Sequence, residues 1–511
     1  MQTTTLDEIR NTTRRLVTGL AVGALLMHAA QARELRIEHA TVVSPERATP
    51  LPDATVTVVD ERIVSIVSSS RAPSSRNAEQ VIDATGLFLT PGLIDSHVHT
   101  ADLPGINPVQ AQQHAEMARA VREQVPRSYL YFGYTTLIDL ISVPEQRAAW
   151  NAQAVHPDFY FCGATPIPDG YPMQYAPKPD RPRIFPYMLI QRGDEANAPR
   201  GVAPATHTPE AVISRMKADG AICVKTFYER GFGEVDDLPV PRLDTIRALV
   251  KAAHAAHLPV FIHANGTEAQ EFAVAAGADI IAHGLWNWNG EQRATELTPR
   301  AKKILDDVVN AKMGWQATMQ VLYGIQDVFD PAYFADPRVK RLVPATAIDW
   351  YRTAEGEWYR DILAPGFFSK AELASHDRVA QWNSVRAGLA PVLARNANAT
   401  RYMAQHGARI LFGTDTPSAP TYANQPGLNG WLEMQHLAAA GLTPAQIFRA
   451  ATLANAEALG LSDTIGTVAP GKRANLLLLR ADPTKSLQAF DSVAKIILAG
   501  RVLDREALAV P

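Results

Sequence analysis

The sequence predicts an α/β protein: a β/α barrel of eight units, with a small sheet domain assembled from both chain ends. Three observations lead there. Eight short apolar runs alternate with helical stretches through the middle of the chain, β-rich segments broken by Pro and Gly occupy both ends, and polar residues recur at the C-terminal ends of the central runs. At 511 residues, 47% hydrophobic and 20% charged, the chain can form one large domain plus a smaller one.

The first element is residues 1–32. There "NTTRRLVTGLAVGALLMHAAQA" joins Arg14 and Arg15 to a moderately apolar run that ends in Ala30-Gln31-Ala32, a small-x-small cleavage pattern before Arg33. This reads as an export signal of twin-arginine type, which would make the mature protein periplasmic or secreted. The run is short for a membrane span and is weakened by Thr18, Gly19 and Gly23, so no stable membrane anchor is expected.

Residues 33–90 and 464–511 carry pieces such as "ATVTVVD", "RIVSIVSS", "ANLLLL" and "SVAKIILAG" with no helical periodicity, which predicts one sheet domain built from both ends. Residues 91–463 form the barrel. Its strands are "GLIDSHVH", "YTTLIDL", "DFYFCGA", "AICVKTF", "VFIHA", "DIIAHG", "GWQATM" and "RILFGTD", separated by helical segments such as "LDTIRALVKAAHAAH". Eight such units match a closed barrel with its site at the C-terminal strand ends. Two connections are too long for plain loops. Residues 166–208 are rich in Pro and Tyr, and residues 320–378 hold Tyr333, Trp350, Tyr351, Trp358, Tyr359, Phe367 and Phe368, enough apolar area to order a cap.

Charge excludes one class of partner. The 49 basic and 52 acidic residues leave a net charge of −3 spread along the chain, which gives no reason to expect nucleic acid. A small-molecule substrate is the expected partner, and homo-oligomerisation stays open. The two cysteines, Cys162 and Cys223, lie in separate strand-like runs and are expected to be buried and unpaired.

In an extended strand His97 and His99 of "DSHVH" point to one face while Val98 points to the other. An isolated H-x-H is more often a pair of partly exposed histidines. Here it has company: Lys225 ends strand four, His263 strand five, His283 strand six and Asp415 strand eight. Six metal-compatible groups at the same end of a barrel indicate a site.

At this point the chain resembles the amidohydrolase superfamily, in its imidazolonepropionase-like and carboxylated-lysine prolidase branch. The resemblance rests on "VIDATGLFLTPGLIDSHVH", "VKTFYERG", "VFIHANGTEAQEFAVAAGADIIAHG", "ILFGTDT" and "TLANAEALGLSDTIGTVAPGKRANLLLL", and spans nearly the whole mature chain. It implies a distorted (β/α)8 TIM barrel with a small β-sandwich domain formed by both chain ends. It also implies two divalent metal ions, one on His97, His99 and Asp415 and the other on His263 and His283. Lys225, carboxylated by carbon dioxide to a carbamate, would bridge them. Zinc is expected, and the ligand set also suits Mn, Co or Fe. The usual "ADLV" of the family's C-terminal sheet is replaced by Ala474-Asn475-Leu476-Leu477, far from the proposed site.

The expected activity is amide C–N hydrolysis by hydroxide generated at the metals, with Asp415 passing the proton to the leaving nitrogen. Tyr228 resembles the tyrosine that related enzymes aim at the carbonyl oxygen. Trp286 and Trp288 would wall an apolar pocket, and Arg230 would fork a substrate carboxylate, which suggests hydrophobic dipeptides or N-acyl amino acids. Two alternatives remain at this level: an esterase, lactonase or phosphotriesterase on the same site, and a periplasmic metal-binding protein without turnover.

Overall fold

The computed structural model describes residues 33–72, 78–233, 235–375, 377–418 and 421–510. The expected export signal lies outside the described residues. Among the described residues no helix is long and apolar enough to cross a membrane.

The barrel strands are β1 (Leu93–Val98), β2 (Tyr134–Asp139), β3 (Asp158–Ala164), β4 (Cys223–Phe227), β5 (Val260–His263), β6 (Ile280–Ala282), β7 (Gly314–Gln316) and β8 (Arg409–Leu411). They lie in chain order in one sheet, every neighbouring pair parallel. Just beyond β8 the chain turns back onto β1 and draws the ring together. Ser96 N–H donates to Phe412 C=O at 3.2 Å, Asp415 N–H to His97 C=O at 2.7 Å and His99 N–H to Thr416 C=O at 2.8 Å. The eight-unit barrel expected from the alternation is present.

Outer helices follow from their spacing. Leu243–Ala255 buries Ile246, Leu249, Val250 and Ala253, the stripe of a 3.6-residue period, against the barrel. Pro299–Asn310 begins with Pro at its first turn and Thr298 accepting the Ala301 N–H at 3.2 Å, the expected N-cap chemistry.

Both chain ends join one eight-stranded sheet, in which Leu476–Leu479 runs antiparallel to Phe88–Pro91. Strand alternation divides the "LLLL" run: Leu476 and Leu478 enter the sheet's own core with Ile37 and Val56, while Leu477 and Leu479 enter the barrel core. A Cβ on Gly133 would lie only 2.6 Å from Leu477 Cδ1, so the sheet seats directly on the barrel. Asn475 stitches this seam. Its Nδ2 donates to Asp158 at the start of β3 at 2.7 Å, and its Oδ1 accepts the Ala499 N–H at 2.8 Å.

The described residues between 320 and 375 fold largely as short helices. Three of their aromatics help attach this insertion: Tyr333 and Tyr351 pack on Tyr422, and the Trp358 indole donates to Gly105 C=O at 3.0 Å.

The cysteines correct an expectation. Cys162 and Cys223 form a disulfide, with Cα atoms 4.4 Å apart. They are register partners on the adjacent strands β3 and β4, buried inside the barrel with Ile94, Phe261 and Leu411, and Cys223 precedes Lys225 by two residues on the same strand face. Protein made in an oxidising compartment and then denatured without reductant should take up no iodoacetamide, and two equivalents after reduction. Two equivalents without reduction would contradict the bond.

Candidate metal centre

At the C-terminal mouth of the barrel, His97, His283 and Asp415 offer ligand atoms within 4.8 Å of one another, all buried. Asp415 Oδ1 lies 3.1 Å from His97 Nε2 and accepts a hydrogen bond from His99 Nε2 at 2.7 Å, while its Oδ2 lies 3.9 Å from His283 Nδ1. The His263 ring is 4.4 Å from that of His283, centroid to centroid. Lys225, 1% exposed, extends beside Phe227 with no hydrogen-bond partner for Nζ among the described residues. The sequence expectation therefore meets one cluster: His97, His99, Lys225, His263, His283 and Asp415 share the mouth.

Burial sets the electrostatics. It pushes His97 down to about 3, helped by the Lys225 charge, and it drives His283 far below the ordinary imidazole value. On His99 burial is again the largest single influence and presses downward, but the hydrogen bond that the ring donates to Asp415 and the charges of Asp415 and Asp139 together outweigh it and raise the ring. Desolvation opposes the Asp415 charge, yet the surrounding imidazoles hold this carboxylate well below its usual range. Lys225 falls to about 7 because its ammonium is buried, against a smaller upward pull from Asp415.

The donor set fits a metal. His97 Nδ1 engages Gln316 Oε1 at 3.1 Å, leaving Nε2 buried, facing Asp415 Oδ1 and without a formed hydrogen bond among the described residues. His263 Nε2 engages Glu229 Oε2 at 3.0 Å, which leaves its Nδ1 for a ligand. His283 Nδ1 meets Thr318 Oγ1 at 3.0 Å. An imidazole held at one nitrogen by an oxygen and free at the other has the polarity of a metal ligand. Three of the described non-glycine residues with left-handed backbone lie at the site, with φ of 87° at His283, 41° at Thr318 and 57° at Asp415. Left-handed conformations cost roughly 1–3 kcal/mol each in non-glycine residues and persist where a site demands them.

Gln316, Glu229 and Thr318 were not anticipated. Glu229 is the most constrained of them: Oε2 also accepts from Asn265 Nδ2 at 2.9 Å, and Oε1 accepts the Gly231 N–H at 2.9 Å. Strand parity marks it, since Lys225, Phe227 and Glu229 alternate onto one face of a continuing extended chain.

The same parity removes two expected residues. Tyr228 turns to the outer helix Thr267–Ala276, where its hydroxyl donates to Glu268 Oε1 at 2.5 Å and its ring packs 4.6 Å from Phe272. Arg230 forks that same carboxylate, with Nη2 to Oε1 at 2.8 Å and Nε to Oε2 at 3.1 Å. Neither the oxyanion role of Tyr228 nor the substrate-carboxylate role of Arg230 agrees with these positions. Trp288 is fully buried and donates to Leu285 C=O at 3.0 Å, a packing role rather than a pocket wall. Trp286 does stand at the site, its ring 5.5 Å from His283.

Comparison with known proteins adds an independent finding. The amidohydrolase family model matches residues 88–292 and 362–503. A dihydroorotase from Solibacter usitatus is 24% identical over 255 residues, covering 49% of this chain and 46% of that protein, so the chain spans about half the length of that curated relative. Among solved structures, a Xaa-Pro dipeptidase with methionine bound in its active site is similar with a TM-score of 0.64 and 18% identity, covering 92% of this chain and 100% of the other. Aspergillus (A. niger) ochratoxinase gives 0.62 and 17%, covering 93% and 96%. Phenylurea hydrolase B gives 0.62 and 20%, covering 93% and 97%. At these identities the likeness establishes the fold.

Proposed function

The chain belongs to the amidohydrolase family, and from that premise we propose that it is an exported, metal-dependent hydrolase of amide C–N bonds in hydrophobic dipeptides or N-acyl amino acids. One observation carries the reading: a buried lysine with no hydrogen-bond partner among the described residues stands among four imidazoles and a carboxylate at a barrel mouth. A lysine held near 7 is substantially the free amine at neutral pH. Its lone pair can add to carbon dioxide, forming an N–C bond and releasing one proton, and the resulting carbamate supplies the anionic oxygens that an ammonium lacks. Zinc, or Mn, Co or Fe, suits this set of imidazole and oxygen donors.

Divalent ions bound there would acidify a water and polarise the scissile carbonyl. The chain's own residues do the rest. Asp415, ionised and central, is placed to accept the proton of the attacking water and return it to the departing nitrogen, which leaves poorly as an anion. Gln316 and Glu229 hold His97 and His263 in one orientation. Trp286 places an apolar ring beside His283, where it would shield the reacting carbonyl from bulk water.

The preference for amides over esters or lactones rests on the family and on this proton delivery, because Arg230 is engaged by Glu268. Export is supported by the Cys162–Cys223 disulfide, a bond that persists in oxidising compartments. The test is a panel of dipeptides, N-acyl amino acids, esters, lactones and phosphotriesters offered to purified protein before and after chelation. Amide cleavage that disappears with the metal and returns with it is expected. Turnover of esters or phosphotriesters alone would reassign the reaction, and no turnover of any class would leave a metal-binding protein.

A further inference from the structure

We propose that the aromatic corner beside His263, built by Tyr171, Phe227 and Phe232 with Tyr175 at its rim, is a subsite for a planar, uncharged aryl group of the substrate. The inference rests on the hydrolase reading above and adds which group is recognised and on which side of the centre. Tyr171, in the long loop after β3, lies 4.6 Å from the His263 ring. Phe232, in the loop after β4, stands 5.6 Å from Tyr171 at 76° and 6.3 Å from His263 at 83°. Tyr175 meets Tyr171 at 6.1 Å and 87°, and Phe227 backs it at 5.8 Å.

Phe232 and Tyr175 are 46% and 69% exposed, unusual for aromatics of this size and contiguous with the candidate centre. Rings set almost at right angles present a face and an edge together. A flat ring entering the corner can stack offset on one and meet the other edge-on, the two arrangements that aromatic quadrupoles favour. An aliphatic chain gains only the area. Aromatic corners also attract ammonium groups, but divalent ions held beside this corner would disfavour a second cation, so the subsite takes a neutral ring.

The probe is N-phenylacetylglycine, with binding to metal-free protein read by calorimetry, so that the result does not depend on turnover. Phe232→Ala, at an exposed position, and Tyr171→Ala should each weaken binding about tenfold or more. Val64→Ala, at an exposed site on the distal sheet, should bind as wild type does. N-acetylglycine should bind weakly to all four proteins. Wild-type affinity in both aromatic variants, or no binding of the probe by wild type, would each overturn the subsite. Probe binding that is lost in the variants, in a protein that hydrolyses no amide with any metal, would uphold the subsite and reject the reaction.

Discussion

Asp415→Asn is expected to lower kcat by about 10²–10⁴-fold while metal content falls much less. The amide keeps an oxygen for a metal and nearly the same volume in a buried position, but it cannot accept and return a proton. Asp415 is the hub of the cluster, bonded to His99 and facing His97 and His283, so removing the whole side chain would confound ligand loss with proton loss. Turnover and metal analysis of the same preparation separate the two effects. A kcat near wild type would remove Asp415 from acid/base work, and a metal-free variant would show that its charge chiefly serves binding.

Lys225→Ala should cost one or both metals and reduce turnover to background. No other described side chain replaces its reach, because the position is fully enclosed and Nζ has no protein partner to inherit the role. The mechanism predicts a pH signature as well. With Lys225 held near 7, the free amine becomes the major form as pH rises through that value, so reconstitution of metal-free wild type should quicken from pH 6 to pH 8 and respond to added bicarbonate. Short carboxylic acids, which can occupy the vacated volume, should partly restore the alanine variant. Full metal content and activity in Lys225→Ala would eliminate the carbamate.

Much of this was legible because strands make simple statements. Alternation put His97 and His99 on one face, and the C-terminal ends of the barrel strands gathered Lys225, His263, His283 and Asp415. The same rule, carried past the end of β4, corrects Tyr228 and Arg230. They stand three and five residues beyond Lys225, odd spacings that turn them outward to Glu268, whereas Glu229 at an even spacing faces inward and reaches His263. The pairing of the cysteines is hidden in the sequence for a topological reason. Cys162 and Cys223 lie in consecutive parallel strands, and only the register of that pair shows that they face each other. Gln316 and Thr318 carry no motif of their own; they are found through the imidazole nitrogens that they hold. The insertion's aromatics signalled an ordered segment, but not that Tyr333 and Tyr351 would be spent on its own attachment.

The claim that this chain is a dinuclear hydrolase is tested most directly by titrating metal-free protein with zinc, and separately with manganese, in bicarbonate buffer. Amide hydrolysis is followed against equivalents added. The account predicts a rise that levels at two equivalents per chain, with Lys225→Ala failing to reach it. A plateau at one equivalent, or no hydrolysis at any ratio, would contradict it.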